Sequence, residues 1–274
     1  ITVISAVSII GGLLINVVIW TLPALRTPVH VPLASLGCSD ILVAILPNSM
    51  WIVHILHPQW EPPPALCWIT AYVSPVLFGV SVSHMLCIAL QRYFKICTYS
   101  TRLKSTRVLV IMLLLTWSVP FASFLPLHVG EEVKVDPKLK QCQTGASDKL
   151  WAKIPAAILN LIAPFVGTLI VYVLIRKHVR KSKKRVRANA EGSDPNRLAI
   201  TKMMLTIFVV FNICCMPLVV MVIFSSKVPA EVFTVGGLLV TLNGALNPII
   251  YGVMNTNIRQ GYKRIWDSML NYIT

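Results

Sequence analysis

Few side chains in this sequence could do chemistry, and most of them stand where charge is costly. Asp40 lies in SLGCSDILVAIL and is the only carboxylate deep inside a hydrophobic run. A lone carboxylate in apolar surroundings has to be neutralised by a proton or a cation. Arg92 lies in LQRYFKIC, at one end of a run that begins near Cys67. Two readings are open for it: a long side chain that snorkels to the interface, or a contact point for an aqueous partner. His84 is the one acidic or basic side chain between Cys67 and Arg92, and reads as a packing histidine. No grouping of acid, base and nucleophile supports catalysis. Cys38, Cys87, Cys97, Cys214 and Cys215 have no metal-ligand spacing with histidines and read as small packing residues. The available chemistry is charge recognition and cation binding, so the chain is not expected to be an enzyme.

Those residues must be held by helices in a bilayer. Only 13% of the 274 residues are charged and 55% are hydrophobic, against about 25% charged in soluble domains. Seven apolar runs are present: Ile1–Leu22, Val31–Leu56, Leu66–Ile96, Val108–Leu127, Ile154–Ile175, Leu198–Phe224 and Val232–Val253. Each approaches or exceeds the length that spans a hydrocarbon core, about 20 residues. Pro47, Pro75, Pro120, Pro164, Pro217 and Pro248 interrupt them, as bundles of spanning helices tolerate. Basic residues fill alternate connections: Arg26, then Lys95 to Arg107, then Arg176 to Arg187, then Arg259 to Arg264. The other connections carry Glu131, Glu132, Asp136, Asp148 and Glu231. This asymmetry predicts an extracellular N-terminus and a cytoplasmic C-terminus in a multi-pass plasma-membrane protein. It also assigns the net charge of +15 to orientation and anionic membrane lipids rather than to nucleic acid. Ile1 falls inside an apolar run, so a native N-terminus upstream of it is expected. Residues 181–195 read as a polar, basic linker broken near Gly192, and Asn257–Leu270 as an amphipathic helix on the inner membrane surface.

The pattern becomes specific with Asn16 in run one, Leu36 and Asp40 in run two, and Cys67 and Arg92-Tyr93 bracketing run three. Trp117 follows in run four, Pro164 and Tyr172 in run five, Phe211 and Pro217 in run six, and Asn247-Pro248-Ile249-Ile250-Tyr251 in run seven. In that order the landmarks resemble those of class A (rhodopsin-like) G-protein-coupled receptors, across essentially the whole chain. Within that class SDILVAILP, RYFKIC, VDPKLKQC and IIYGVMNTNIRQGYKRI most resemble the melatonin-receptor-like branch. The resemblance implies an all-α membrane fold. Residues 1–256 would form the seven-transmembrane helix bundle, and 257–274 a short amphipathic eighth helix and the start of the C-terminal tail.

It also implies functional residues. A disulfide would join Cys67 to Cys142, in keeping with their outer side. Asp40, Ser81, Asn243 and Asn247 match a sodium site, although Gly244 stands where a serine is common; the alternative is a polar network without the ion. No other cofactor is implied. An amine ligand would need a carboxylate where Ser74 stands, and retinal a lysine where Thr241 stands. The asparagine and glutamine that hold ligand in melatonin receptors are replaced by Leu127 and Ala146, and each unpaired polar group costs a ligand about 1–3 kcal/mol. The implied lining is Ser74, Phe78, Asn160, Cys215, Leu218, Val219 and Thr241, suited to a small lipophilic molecule or to none.

At the inner end the resemblance assigns a switch to Gln91, Arg92, Tyr93, Tyr172, Arg197 and Tyr251, with Arg102 and Lys104 near a heterotrimeric G protein of inhibitory type. Gln91 and Arg197 occupy positions where an acid often pairs with the arginine, and Cys215 replaces a usual tryptophan. High ligand-independent activity is therefore expected. Two other readings remain. A weakly signalling scaffold that pairs with another receptor in a dimer fits the altered switch residues. A transporter or channel would call for inverted repeats or several intramembrane charges, which the sequence lacks.

Overall fold

A computed structural model describes residues 1–28, 30–98, 105–144, 149–189, 195–224 and 227–273. The helices are α1 (Thr2–Thr21), α2 (Val31–Ile45), α3 (Pro47–Leu56), α4 (Pro64–Cys97), α5 (Thr106–His128), α6 (Leu150–Ala157), α7 (Ala163–Asn189), α8 (Pro195–Ile223), α9 (Ala230–Met254) and α10 (Thr256–Ile273). Among the described residues they make seven stretches long and apolar enough to cross a membrane, one for each hydrophobic run. α2 and α3 share a span, Val31–Leu56. They part at Leu46 because Pro47 offers no N–H to continue the ladder. α6, a π-helical segment at Ile158–Ile162 and α7 make another span. α7 runs on to Asn189, so the polar stretch expected to be a linker from Lys181 begins as helix. Gly192 lies outside the described residues.

α4 is the central element. It packs against α2, α3, α5, α7 and α8, while α1 lies on α2 and α9, and α8 on α9. The apolar core fills the half of the bundle nearer Arg92, with Val18, Leu36, Ile88, Met203, Ile207, Phe211 and Tyr251 in one cluster. Large aliphatic side chains such as Leu114, Ile170, Ile213 and Val253 face outward, while Asp40, Asn160 and Asn247 are buried. Apolar outside and polar inside is the distribution a bilayer demands.

A feature that hydropathy did not anticipate caps the Cys67 end. β1 (Val133–Asp136) pairs antiparallel with β2 (Gln141–Thr144), setting Val135 opposite Cys142. Asp136 closes the turn: its Oδ1 accepts from the N–H of Lys138 at 2.7 Å and of Leu139 at 2.9 Å. The hairpin is stapled to α4 by the Cys67–Cys142 disulfide, and Lys138 Nζ donates to the Val228 carbonyl at 3.2 Å, just before α9. At the other end Asn255 Oδ1 accepts from the N–H of Asn257 and of Ile258, which caps α10 as a short polar side chain does at a helix start. α10 buries Ile258 and exposes Arg259, Lys263, Arg264 and Trp266.

The disulfide closes a sequence separation of 75 residues. Cross-links of that reach contribute about 2–5 kcal/mol. Cys142→Ser should therefore lower the melting temperature of the detergent-solubilised protein and the fraction reaching the cell surface; an unchanged melting curve would count against a structural role.

Candidate functional site

Ser74 and Phe78 on α4, Cys215 and Leu218 on α8, and Gln141 on β2 line both of two cavities that lie under the hairpin. The smaller, about 180 Å³, runs past Thr241, Asn243 and Ser81 to Asp40. The larger, about 510 Å³, extends to Asn160 and Val219 and to Phe124 on α5. The residues expected to line one pocket are thus divided, Thr241 in the first, Asn160 and Val219 in the second. Among the described lining residues no lysine, arginine or histidine occurs, and Asp40 is the only carboxylate. Gln141 was not anticipated, because a residue in a short hairpin carries no periodic signal.

Asn160 reaches its cavity through a backbone irregularity. Pro164 has no N–H for the Asn160 carbonyl, and the N–H of Ala163 bonds instead to the Ile158 carbonyl, the wider spacing of a π-turn. Asn160 Nδ2 donates to Ser123 Oγ at 2.6 Å and to the Ala156 carbonyl at 2.8 Å. Its Oδ1 lies against α4 at Gly79, where a Cβ would stand 3.0 Å from it, so a larger residue there would press on the Asn160 side chain.

Around Asp40, Asn247 Nδ2 donates to the carboxylate at 2.8 Å. Ser81 donates its hydroxyl to the Leu77 carbonyl at 3.0 Å, which leaves its lone pairs available. Asn243 Oδ1 and Asn247 Oδ1 are buried without a hydrogen-bond partner among the described residues. One carboxylate with several neutral oxygens fits a hard monovalent cation. No cluster of three or more His, Cys, Asp or Glu occurs among the described residues, so a transition-metal centre does not fit.

His84 is held as a packing histidine. Its Nδ1 lies 2.8 Å from the Val80 carbonyl and its Nε2 2.8 Å from Ser35 Oγ, while Trp117 Nε1 donates to the same hydroxyl at 3.0 Å. The Val80 carbonyl can only accept, so Nδ1 carries the proton there, and Ser35 meets Nε2 with a hydroxyl that can either donate or accept. Ser35, overlooked in the sequence, joins α2, α4 and α5.

At the opposite end Arg92 is 2% exposed, and its Nε and Nη2 have no hydrogen-bond partner among the described residues. Tyr172 on α7 interacts with it electrostatically. Gln91 points elsewhere and donates to the Pro28 carbonyl. His30, beside Arg92 and Lys95, supplies no counter-charge: burial first, then those two cations, push its pKa down to about 4, so the ring is neutral. Tyr93 makes an edge contact with Phe94. Tyr251 is fully buried and its hydroxyl is unpaired among the described residues. Arg102 and Lys104 lie outside the described residues, as does the side chain of Arg197 on α8.

The bundle superposes on squid rhodopsin with a TM-score of 0.85 over 98% of this chain and 83% of that one, at 16% identity. The family described as 7 transmembrane receptor (rhodopsin family) matches residues 11–251. The chain belongs to this family of G-protein-coupled receptors; it is a multi-pass membrane protein and not an enzyme. Within the family it is similar to melatonin receptor type 1B-B of Danio rerio, 27% identical over 95% of this chain and 78% of that receptor. Melatonin receptor type 1A of Phodopus sungorus is 26% identical over 96% and 78%, and melatonin receptor type 1B of Mus musculus 28% over 97% and 76%.

Ser35→Ala should leave His84 Nε2 and Trp117 Nε1 without partners in the core. Each such loss costs about 1–3 kcal/mol, so the variant should melt several degrees below the wild type. Equal melting temperatures would show that Ser35 does not tie the three helices together.

Proposed function

We propose that the chain signals to a heterotrimeric G protein of the inhibitory type, with substantial activity in the absence of ligand. We also infer that the cavities under the hairpin take a small, uncharged, lipophilic molecule. The observation that carries the first reading is Arg92, buried with no carboxylate hydrogen-bonded to it among the described residues. A buried guanidinium without a partner raises the energy of the state that buries it. Any rearrangement that opens the inner end and offers Arg92 the carbonyls of a G-protein α-subunit tail is favoured accordingly. Tyr172 on α7 and Tyr251 on α9 would rearrange with Arg92 and Tyr93 in that opening, and the resemblance gives Arg197, Arg102 and Lys104 to the same coupling region. The inhibitory subtype rests on the similarity to melatonin receptors.

The ligand reading is supported by a lining without basic groups and with a single remote carboxylate. An ionised ligand would enter without a counter-ion in the larger cavity. The sequence also lacks the two melatonin anchors, with Leu127 and Ala146 at the aligned positions. The arrangement of basic connections supports an extracellular N-terminus, with α10 and its Arg259, Lys263 and Arg264 against the anionic inner leaflet.

Basal G-protein activation, measured at matched surface expression, should exceed that of cells carrying empty vector. Gln91→Glu with Arg197→Glu should lower it, since about 1.4 kcal/mol of added inactive-state stability shifts the population tenfold. A signal no greater than empty vector, with no G protein recruited, would return the reading to a heptahelical scaffold that modulates another receptor.

A further inference from the structure

Gly244 removes a hydroxyl from the Asp40 site, and the structure shows what stands in the space. A Cβ placed on Gly244 would lie 3.0 Å from Ser8 Oγ and 3.6 Å from Asp40 Cγ. Ser8 belongs to α1, a helix outside the set expected to form this site. Its side chain is 2% exposed, and its Oγ is buried with no hydrogen-bond partner among the described residues. Ser5, one turn earlier on α1, behaves differently: its Oγ accepts from Asn48 Nδ2 at 3.3 Å, and Asn48 Oδ1 accepts from Thr241 at 3.4 Å. One serine of the pair is tied into the structure and the other is left free, facing the cavity that holds Asp40, Ser81 and Asn243.

We infer that Ser8 supplies from α1 the oxygen that Gly244 withholds from α9, completing a monovalent-cation site with Asp40, Ser81 and Asn243. The inference deepens the sodium reading and rests on it. An unpaired hydroxyl buried beside a carboxylate has either a solvating cation or an uncompensated desolvation cost. Hard cations take neutral hydroxyl and amide oxygens together with a single carboxylate. The two positions also press on one another. A Cβ at 244 would stand tighter against Ser8 Oγ than ordinary contacts allow, so a hydroxyl fits from α1 or from α9 and not comfortably from both.

The test is thermal unfolding of the purified full chain in sodium chloride against N-methylglucamine chloride at equal ionic strength, read as the sodium concentration giving half-maximal stabilisation. A bound ion stabilises the folded state in proportion to its occupancy, so no ligand or signalling assay is needed. Ser8→Ala should raise that concentration about tenfold, the loss expected for one oxygen on a charged partner. Ser8→Thr, which keeps the hydroxyl, should stay near the wild type. Ser8→Ala with Gly244→Ser should regain the response, because the space vacated on α1 admits the side chain on α9. A wild-type sodium midpoint in Ser8→Ala overturns the role of Ser8 while leaving the cation site standing. A double variant as insensitive as Ser8→Ala overturns the exchange of one oxygen between the two helices. If the wild type and Asp40→Asn respond alike, with no sodium-specific stabilisation, the cation reading fails and the proposal falls with it.

Discussion

The constraint on which the structure turns is the expense of an uncompensated charge in a core without bulk water. Asp40 and Arg92 are both buried, one facing the cavity under the hairpin and the other near the opposite end. Neither forms a hydrogen-bonded ion pair among the described residues. The molecule handles them differently. Around Asp40 it gathers neutral oxygens and one amide donor, Asn247, on helices far apart in sequence. Around Arg92 it gathers aromatic and aliphatic groups, a neutral histidine and Tyr172. A carboxylate surrounded by oxygens is prepared for a cation. The guanidinium of Arg92 instead has no carboxylate paired with it among the described residues. The two buried charges therefore sit in different surroundings.

Proline decides where the polar groups can be aimed. Pro47 divides the second span and lets α3 bring Asn48 toward Ser5 and Thr241. Pro164 opens the π-turn that carries Asn160 against Gly79. Pro248 removes the N–H that would satisfy the Gly244 carbonyl, and the carbonyl of Pro248 itself accepts from Tyr262 of α10 at 3.2 Å. These irregularities line the cavities and the Asp40 site, while the straight apolar turns between them face lipid or the core. The bundle uses regular helix for spanning and broken helix for recognition.

Hydropathy alone made the spans legible, because a bilayer imposes one length and one polarity on every crossing element. Cys67, Asp40, Arg92 and Asn247 were legible for a related reason: a polar or charged residue in an apolar run stands out. What stayed hidden was small or local. Ser8 and Ser35 are ordinary helix residues in one dimension; their importance comes from which neighbour lies opposite, and no spacing within α1 or α2 reveals it. Gln141 and the hairpin depend on a turn closed by Asp136 and on a disulfide to a distant helix, so no periodic pattern announces four-residue strands. The helical continuation to Asn189 was masked by its basic composition, which resembles a solvated linker although arginine and lysine are good helix formers.

Of the departures at Gln91, Cys215 and Gly244, the first lies beside Arg92 and the other two line the cavity that holds Asp40. Taken singly, each reads as a part lost. The contacts argue for reassignment at two of them. Gln91 does not wait beside Arg92 as a weakened acid would; it donates to the Pro28 carbonyl and ties α4 to the start of α2. Gly244 does not leave a void; Ser8 occupies the approach from α1. Cys215 has no such replacement, but it sits next to a cavity already bounded by the stacked rings of Phe78 and Phe211, 6.2 Å apart. A switch that had merely decayed would leave holes and clashes at these positions. At Gln91 and Gly244 other groups take up the bond or the space, so neither position is simply an unfilled loss. Because a gap of about 1.4 kcal/mol between two states decides a tenfold change in their population, side-chain exchanges as small as these are on the scale that matters.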